Sequence, residues 1–380
     1  MSKWVSAWGT ATSIAERREG NYAKNLTLRY AFKCTLDGSK IRVRFSNICG
    51  NDDVRITKAF AAVYKGNTEI DTEKMNEITF NGLTEGIIPA GGEVTSDEIE
   101  FRCVKGADIA VSMYFEGMTE LMSTVYTEGP CQDNYFADGD LAASAEFPLE
   151  NRMPTGYTYF LNTVDVLADD AAKSIILFGD SITAQSWADR LNLKFIENND
   201  NIAGIRRGVS GTRVLGQYDC LQYAHYGLSG ENRFVRECNC AGADTVVIFH
   251  GINDIIHPDG VNPFRPMSNF PSLDDMVEGF RYYIREARKM GLKVVMTTIL
   301  PIEGWRTYEE WREGLRVKVN EWIRTSDEID GYIDFDKAVC DPSNPKALKA
   351  EYDSGDHLHP SGDGAQQLAE ACYRLMIKMR

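Results

Sequence analysis

Five short apolar runs with helical stretches among them constrain the second half of this 380-residue chain more than any other feature. They are Ser174–Phe178, Ile205–Val209, Thr245–His250, Lys293–Leu300 and Tyr332–Phe335. Runs so nearly continuous in apolar residues suit parallel strands buried on both faces. Helical spacing appears around Trp187–Lys194, Leu273–Met290, Tyr308–Arg324 and Gln366–Lys378. Gly291, directly after Met290, supplies the glycine that commonly follows a helix end. The alternation predicts a three-layer α/β/α domain with a parallel sheet and right-handed crossovers.

The first half has a different period. Segments such as Leu26–Phe32, Lys40–Phe45, Ile56–Tyr64 and Ala107–Phe115 are strand-like, and turn signals at Asp37-Gly38, Gly50-Asn51-Asp52, Asn81-Gly82 and Ala90-Gly91-Gly92 separate them. Ile41, Val43 and Phe45 alternate with Arg42 and Arg44, which predicts one face in a core and one in water. Many short strands with no convincing long helix predict an all-β sandwich, jelly-roll-like in form. At this length two domains are expected. The change of pattern near Asp169-Asp170 divides the chain into a β-sandwich accessory domain over 1–168 and an α/β domain over 169–380.

Composition narrows the partners. The apolar fraction of 43% and charged fraction of 26% are those of an ordinary globular protein. Acidic residues (56) outnumber basic ones (41), for a net charge of −15, which argues against nucleic acid or an anionic membrane surface. No apolar run approaches the length of a membrane span, and no apolar leader follows Met1-Ser2-Lys3-Trp4. The nine cysteines are odd in number and scattered. They suit reduced thiols, and a cytoplasmic location is expected. Cys238 and Cys240 lie close together, but no second Cys or His pair completes a zinc site, so no metal is expected.

Against this frame four strings carry chemistry: Gly179-Asp180-Ser181-Ile182, Gly208-Val209-Ser210-Gly211, Gly251-Ile252-Asn253-Asp254 and Asp356-His357-Leu358-His359-Pro360. The first three follow predicted strands, so Ser181, Gly211 and Asn253 share the sheet edge where open α/β folds bind ligands. Ser181 opens toward a helix, with its hydroxyl exposed and its amide free. Taken alone it suits a helix N-cap equally well, just as Gly211 and Asn253 singly suit turns. Together they offer a nucleophile and donors for an oxyanion. Asp180 and Asp254 are expected to brace their loops. Pro360 favours extended backbone at His359 and is expected to start the last helix. Asp356 can turn back onto a histidine ring, leaving the other ring nitrogen to take the serine proton. Spacing alone does not decide between His357 and His359.

The four strings resemble blocks I, II, III and V of the SGNH hydrolase superfamily of GDSL-type esterases and lipases. The resemblance implies a flavodoxin-like α/β/α domain and a serine esterase that needs no metal or organic cofactor. By the same resemblance Ser181 is the nucleophile, Ser181, Gly211 and Asn253 form the oxyanion hole, and His359 is the base held by Asp356. A narrower likeness, to bacterial lysophospholipase-like SGNH proteins with an N-terminal β-domain, covers nearly the whole chain. It rests on Trp4-Val5-Ser6-Ala7-Trp8, Val43-Arg44-Phe45-Ser46-Asn47, Ile88-Pro89-Ala90-Gly91, Ile329–Asp336 and Asp353–Pro360. The chain departs from that pattern in a short connection from Ser181 to Trp187, which should open the cleft, and in His250, where Glu or Gln is more usual.

Aromatic and histidine residues in loops after the third and fourth strands, namely His257, Phe264, Trp305 and Tyr308, are candidate substrate contacts, or else pack their loops on the domain interface. His250 is either a buried, satisfied histidine or a further pocket residue. The expected reaction is hydrolysis of a short-acyl ester, such as an acetylated sugar or oligosaccharide. A lysophospholipase or thioesterase acting on longer chains is the enzyme alternative. A carbohydrate-binding protein with a vestigial hydrolase domain is the alternative of another class. The β-domain is expected to brace the catalytic domain or form an oligomer interface, ahead of binding sugar itself.

Overall fold

The computed structural model describes residues 1–15 and 22–379. The chain forms two compact units, one of Met1–Ser174 with Phe195–Ile205 and one of Ile175–Lys194 with Arg206–Arg380.

The first unit has an all-β N-terminal region. One antiparallel sheet joins Ser2–Gly9, Leu161–Asp169 and Gly38–Ser46, with Glu93–Thr95 and Ile99–Cys103 beyond. Another is centred on Leu26–Lys33, Asp108–Phe115 and Lys58–Gly66. Ile41, Val43 and Phe45 are fully buried, as their alternation predicts. Arg42 and Arg44 are half-buried instead of facing open water. Arg42 lies over Trp4 at 4.7 Å and bonds Asp165 at 2.8 Å, while Arg44 reaches the Thr163 hydroxyl at 2.9 Å. The expected strand Ile56–Tyr64 is broken at Thr57 into Val54–Ile56 and Lys58–Gly66.

The α/β part of the chain is built on a five-stranded sheet. Its strands are β1 (Lys173–Gly179), β2 (Ile202–Gly208), β3 (Ala243–Phe249), β4 (Lys293–Thr297) and β5 (Gly331–Ile333). Their order is β2-β1-β3-β4-β5. β3 runs parallel to β4 and β4 to β5, with Val247 opposite Val295. The helices are α1 (Ser181–Ala184), α2 (Trp187–Glu197), α3 (Gly230–Glu237), α4 (Ile252–Ile256), α5 (Leu273–Lys289), α6 (Glu310–Thr325), α7 (Phe335–Val339) and α8 (Gly362–Lys378). Phe178 of β1 meets Phe234 of α3 and Tyr283 of α5 at 5.0 and 5.5 Å. Phe249 of β3 meets Trp187 of α2 and Phe335 of α7 at 6.3 and 4.9 Å. The strand order reverses at β1 and β3, so a crevice opens beyond their carboxyl ends.

Two boundaries differ from the sequence reading for reasons of tertiary contact. β4 ends at Thr297, short of Leu300, because α6 takes the next backbone groups: Asn320 accepts from the Ile299 amide at 2.7 Å, and Arg316 donates to its carbonyl at 2.9 Å. The last helix starts at Gly362, ahead of Gln366, and Ser361 caps it through the Gly364 amide at 3.2 Å. Pro360 therefore sits just outside α8 and does not open it.

Candidate active site

The nucleophile turn is set by small residues and a buried acid. Asp180, and not Ser181, caps α1 by accepting the Ile182 amide at 3.1 Å, which leaves Ser181 as the first helical residue. Gly208 at the end of β2 lies so close to α1 that a Cβ there would sit 2.3 Å from the Ala184 amide nitrogen. Arg233 of α3, fully buried, donates to the carbonyls of Gly179 and Arg207 and so ties the ends of β1 and β2. Burial lowers its guanidinium to about 10.

Ser181 Oγ lies 2.9 Å from His359 Nε2, and His359 Nδ1 lies 2.6 Å from Asp356 Oδ2. Asp356 Oδ1 accepts the Leu358 and His359 amides at 2.9 and 2.8 Å, which fixes the carboxylate beneath the ring. Partial burial pushes the Asp356 carboxyl up, but the His359 ring and these amides outweigh it and hold it below the ordinary range. With Nδ1–H donated to a carboxylate, the Nε2 lone pair is aimed at the serine hydroxyl. His357 takes no part in this chain. Its backbone is left-handed, with φ of 65°, and its Nδ1 bonds Asp353 at 2.7 Å.

Three candidate oxyanion donors belong to the ends of these strands: the Ser181 and Gly211 amides and the Asn253 side chain. Among the described residues, neither the Ser181 nor the Gly211 amide has an acceptor in the protein. Gly211 has φ of +77°, and a Cβ on it would sit 2.2 Å from Tyr226 Cδ1, so a side chain is excluded on both counts. Asn253, on the first turn of α4, is buried and donates one amide hydrogen to the Thr212 carbonyl at 2.9 Å. A carboxamide carries a second N–H. Asp254 braces the loop after β2 by accepting the Val214 and Leu215 amides at 2.8 and 3.0 Å.

The candidate pocket residues divide. Trp305 stands edge-on to His359 with centroids 6.4 Å apart. His257 is buried, stacked on Tyr226 at 5.3 Å and bonded to the Tyr218 hydroxyl at 3.1 Å. Tyr308 bonds Glu310 at 3.0 Å, and Phe264 is exposed. His250 does not line a pocket. It is buried against Phe178, with Nδ1 on the Tyr283 hydroxyl at 2.9 Å and Nε2 on the Thr212 carbonyl at 3.1 Å. Both ring nitrogens are spent inside the fold. Sequence reasoning missed Arg233, the Thr212 carbonyl shared by His250 and Asn253, and Tyr226. A serine N-cap at Ser229 was the one local signal for α3.

Burial pushes the Asp180 carboxyl up to about 7 and the Asp254 carboxyl up to about 6, against amide hydrogen bonds that work the other way. Both hold a proton more tightly folded than unfolded. Their contribution to stability is therefore complete below the ordinary value of 3.8 and is lost as pH rises through about 6 to 7. Asp180→Asn should flatten the loss of unfolding free energy between about pH 4 and pH 8 by on the order of 1–4 kcal/mol in urea titrations. An unchanged pH slope in the variant would contradict the raised value.

The GDSL-like Lipase/Acylhydrolase family model matches residues 177–367, just over half of the chain. The chain belongs to this family. It is a carboxylic ester hydrolase of the SGNH superfamily. The match begins inside β1 and ends inside α8, so it takes in every residue of the site described above. Among solved structures the hydrolase resembles a GDSL-like lipase from Bacteroides thetaiotaomicron, 18% identical over 55% of this chain and 89% of that one, with a TM-score of 0.40. It also resembles an acetyl xylan esterase from Geobacillus stearothermophilus, 18% identical over 54% of this chain and 95% of that one, with a TM-score of 0.40. No curated protein matches the hydrolase. No helix among its described residues is long and apolar enough to cross a membrane.

Proposed function

We propose that the protein hydrolyses short-acyl esters, acetyl esters of sugars foremost, by serine acyl-enzyme chemistry in a catalytic domain over 169–380. The β-region over 1–168 is an accessory, jelly-roll-like sandwich. His359 takes the Ser181 proton as Oγ attacks the ester carbonyl. The Ser181 and Gly211 amides and the free N–H of Asn253 receive the oxyanion. His359 then protonates the leaving alcohol, and water repeats the cycle on the acyl-enzyme. Asp356 keeps the imidazole in the tautomer that accepts from serine and steadies the imidazolium.

The observation that carries this reading is the hydrogen-bond chain Ser181–His359–Asp356, at 2.9 and 2.6 Å, beside two amides without acceptors. Rings stand beside the oxyanion donor and the base, Tyr226 against Gly211 and Trp305 against His359. Rates along a series of p-nitrophenyl esters test it. The maximum should fall at acetate or propionate, and a maximum at octanoate or longer would instead favour a lysophospholipase or thioesterase. Asn253→Ala should lower kcat by about 100- to 1,000-fold with little change in KM, the usual result of removing one oxyanion donor. A loss confined to KM would assign Asn253 to substrate binding instead.

A further inference from the structure

An open cleft of about 520 Å³ adjoins this site, lined by Tyr223, Tyr226, Asp259, Arg265, Arg306 and Thr307. It meets the reacting groups at two points. Tyr226 packs on Gly211, and Arg306 lies 4.8 Å over Trp305, which stands beside His359. The cleft carries two cations, Arg265 and Arg306, and one acid, Asp259. Among the described residues no carboxylate makes an ion pair with Arg265 or Arg306.

Arg265 is only 6% exposed, and its Nε has no hydrogen-bond partner. One Nη donates to the Tyr226 hydroxyl at 3.3 Å, and the guanidinium lies 4.2 Å over Tyr223. Cation–π contact compensates part of its desolvation but leaves the Nε donor idle. Arg306, stacked on Trp305, is exposed and open to a ligand. His257, stacked on Tyr226, is held neutral by burial first and then by the field of Arg265, Arg213 and Arg306, so it neither adds to nor offsets the charge. Asp259 is the acid of the cleft. Its Oδ1 already accepts the Val261 and Asn262 amides at 2.9 and 2.8 Å. The Trp305 indole N–H is also buried without a partner.

We propose that this cleft is a subsite for an anionic group, carboxylate or phosphate, on the alcohol portion of the ester. Arg265 and Arg306 bind the anion, and the stacked rings of Tyr223 and Tyr226, 5.5 Å apart, bear on the body of the alcohol. The alcohol side is indicated because the leaving oxygen must reach His359 for its proton, and Trp305 and Arg306 extend from there. The inference rests on the esterase reading above and narrows its substrates to esters of acidic alcohols.

The test compares matched pairs: acetylated galacturonate against acetylated methyl galactoside, and acetyl-glycerol 3-phosphate against monoacetylglycerol. In each case kcat/KM is measured at low and high salt. At least one anionic ester should be preferred by about tenfold or more at low salt. That preference should shrink in high salt and fall toward unity in Arg306→Gln, with partial retention in Arg306→Lys. The pair that responds separates a carboxylate from a phosphate ligand. No preference for either anionic ester in the unaltered enzyme overturns the subsite. If p-nitrophenyl acetate is not hydrolysed either, the esterase reading fails on its own. Calorimetry of galacturonate and glycerol 3-phosphate on Ser181→Ala then decides the subsite: binding of one, weakened by Arg306→Gln, supports it, and binding of neither overturns it.

Discussion

Ser181→Ala is expected to lower turnover of p-nitrophenyl acetate by roughly four to six orders of magnitude while leaving the unfolding midpoint within a few degrees of the parent. The expectation follows from the division of labour at the sheet edge. The hydroxyl removed is the group 2.9 Å from His359 Nε2, whereas the turn that presents it is held by Asp180, Arg233 and the close approach of Gly208. None of these needs the Ser181 side chain. Residual activity would come from the oxyanion donors and binding alone. A variant within tenfold of the parent rate would remove Ser181 as the nucleophile.

His359→Gln should cost nearly as much, because a nucleophile and its base act as a unit and losing either disables both. Glutamine keeps a polar group near Ser181 but cannot take its proton at neutral pH. Asp356→Asn should cost less, since its carboxylate is 41% exposed and water competes for the role of steadying the imidazolium. His357→Gln should leave kcat within a few-fold, because that ring is committed to Asp353. Equal losses from the two histidine variants would contradict the proposed assignment. All four rates come from one steady-state assay.

Much of this arrangement is legible in the sequence. β1 and β3 end in the apolar runs Ile175–Phe178 and Val246–Phe249, and the residues just past them, Ser181 and Asn253, inherit their positions from the strand ends. What is illegible depends on partners distant in the chain. α3 reads Gly-Glu-Asn-Arg-Phe-Val-Arg-Glu, and of its buried residues only Phe234 is a large apolar one, the others being Gly230, Arg233 and Glu237. The end of β4 is set by Arg316 and Asn320, roughly twenty residues later, with no local mark. For His250 the sequence leaves a buried, satisfied histidine and a pocket residue both open, and the fold turns it inward to Tyr283 and the Thr212 carbonyl. His357 and His359 cannot be ranked by spacing, since each has an acid three or four residues before it, and only the folded loop brings one of them to the serine. Tyr226 and Arg265 lie in loops whose positions no periodicity encodes.

The central claim, an activated serine at 181, is tested most directly by reaction with a fluorophosphonate and mapping of the adduct by mass spectrometry. One adduct per chain is expected, on Ser181, with the rate collapsing in His359→Gln. Failure of the folded protein to react, or an adduct on any other residue, would contradict it.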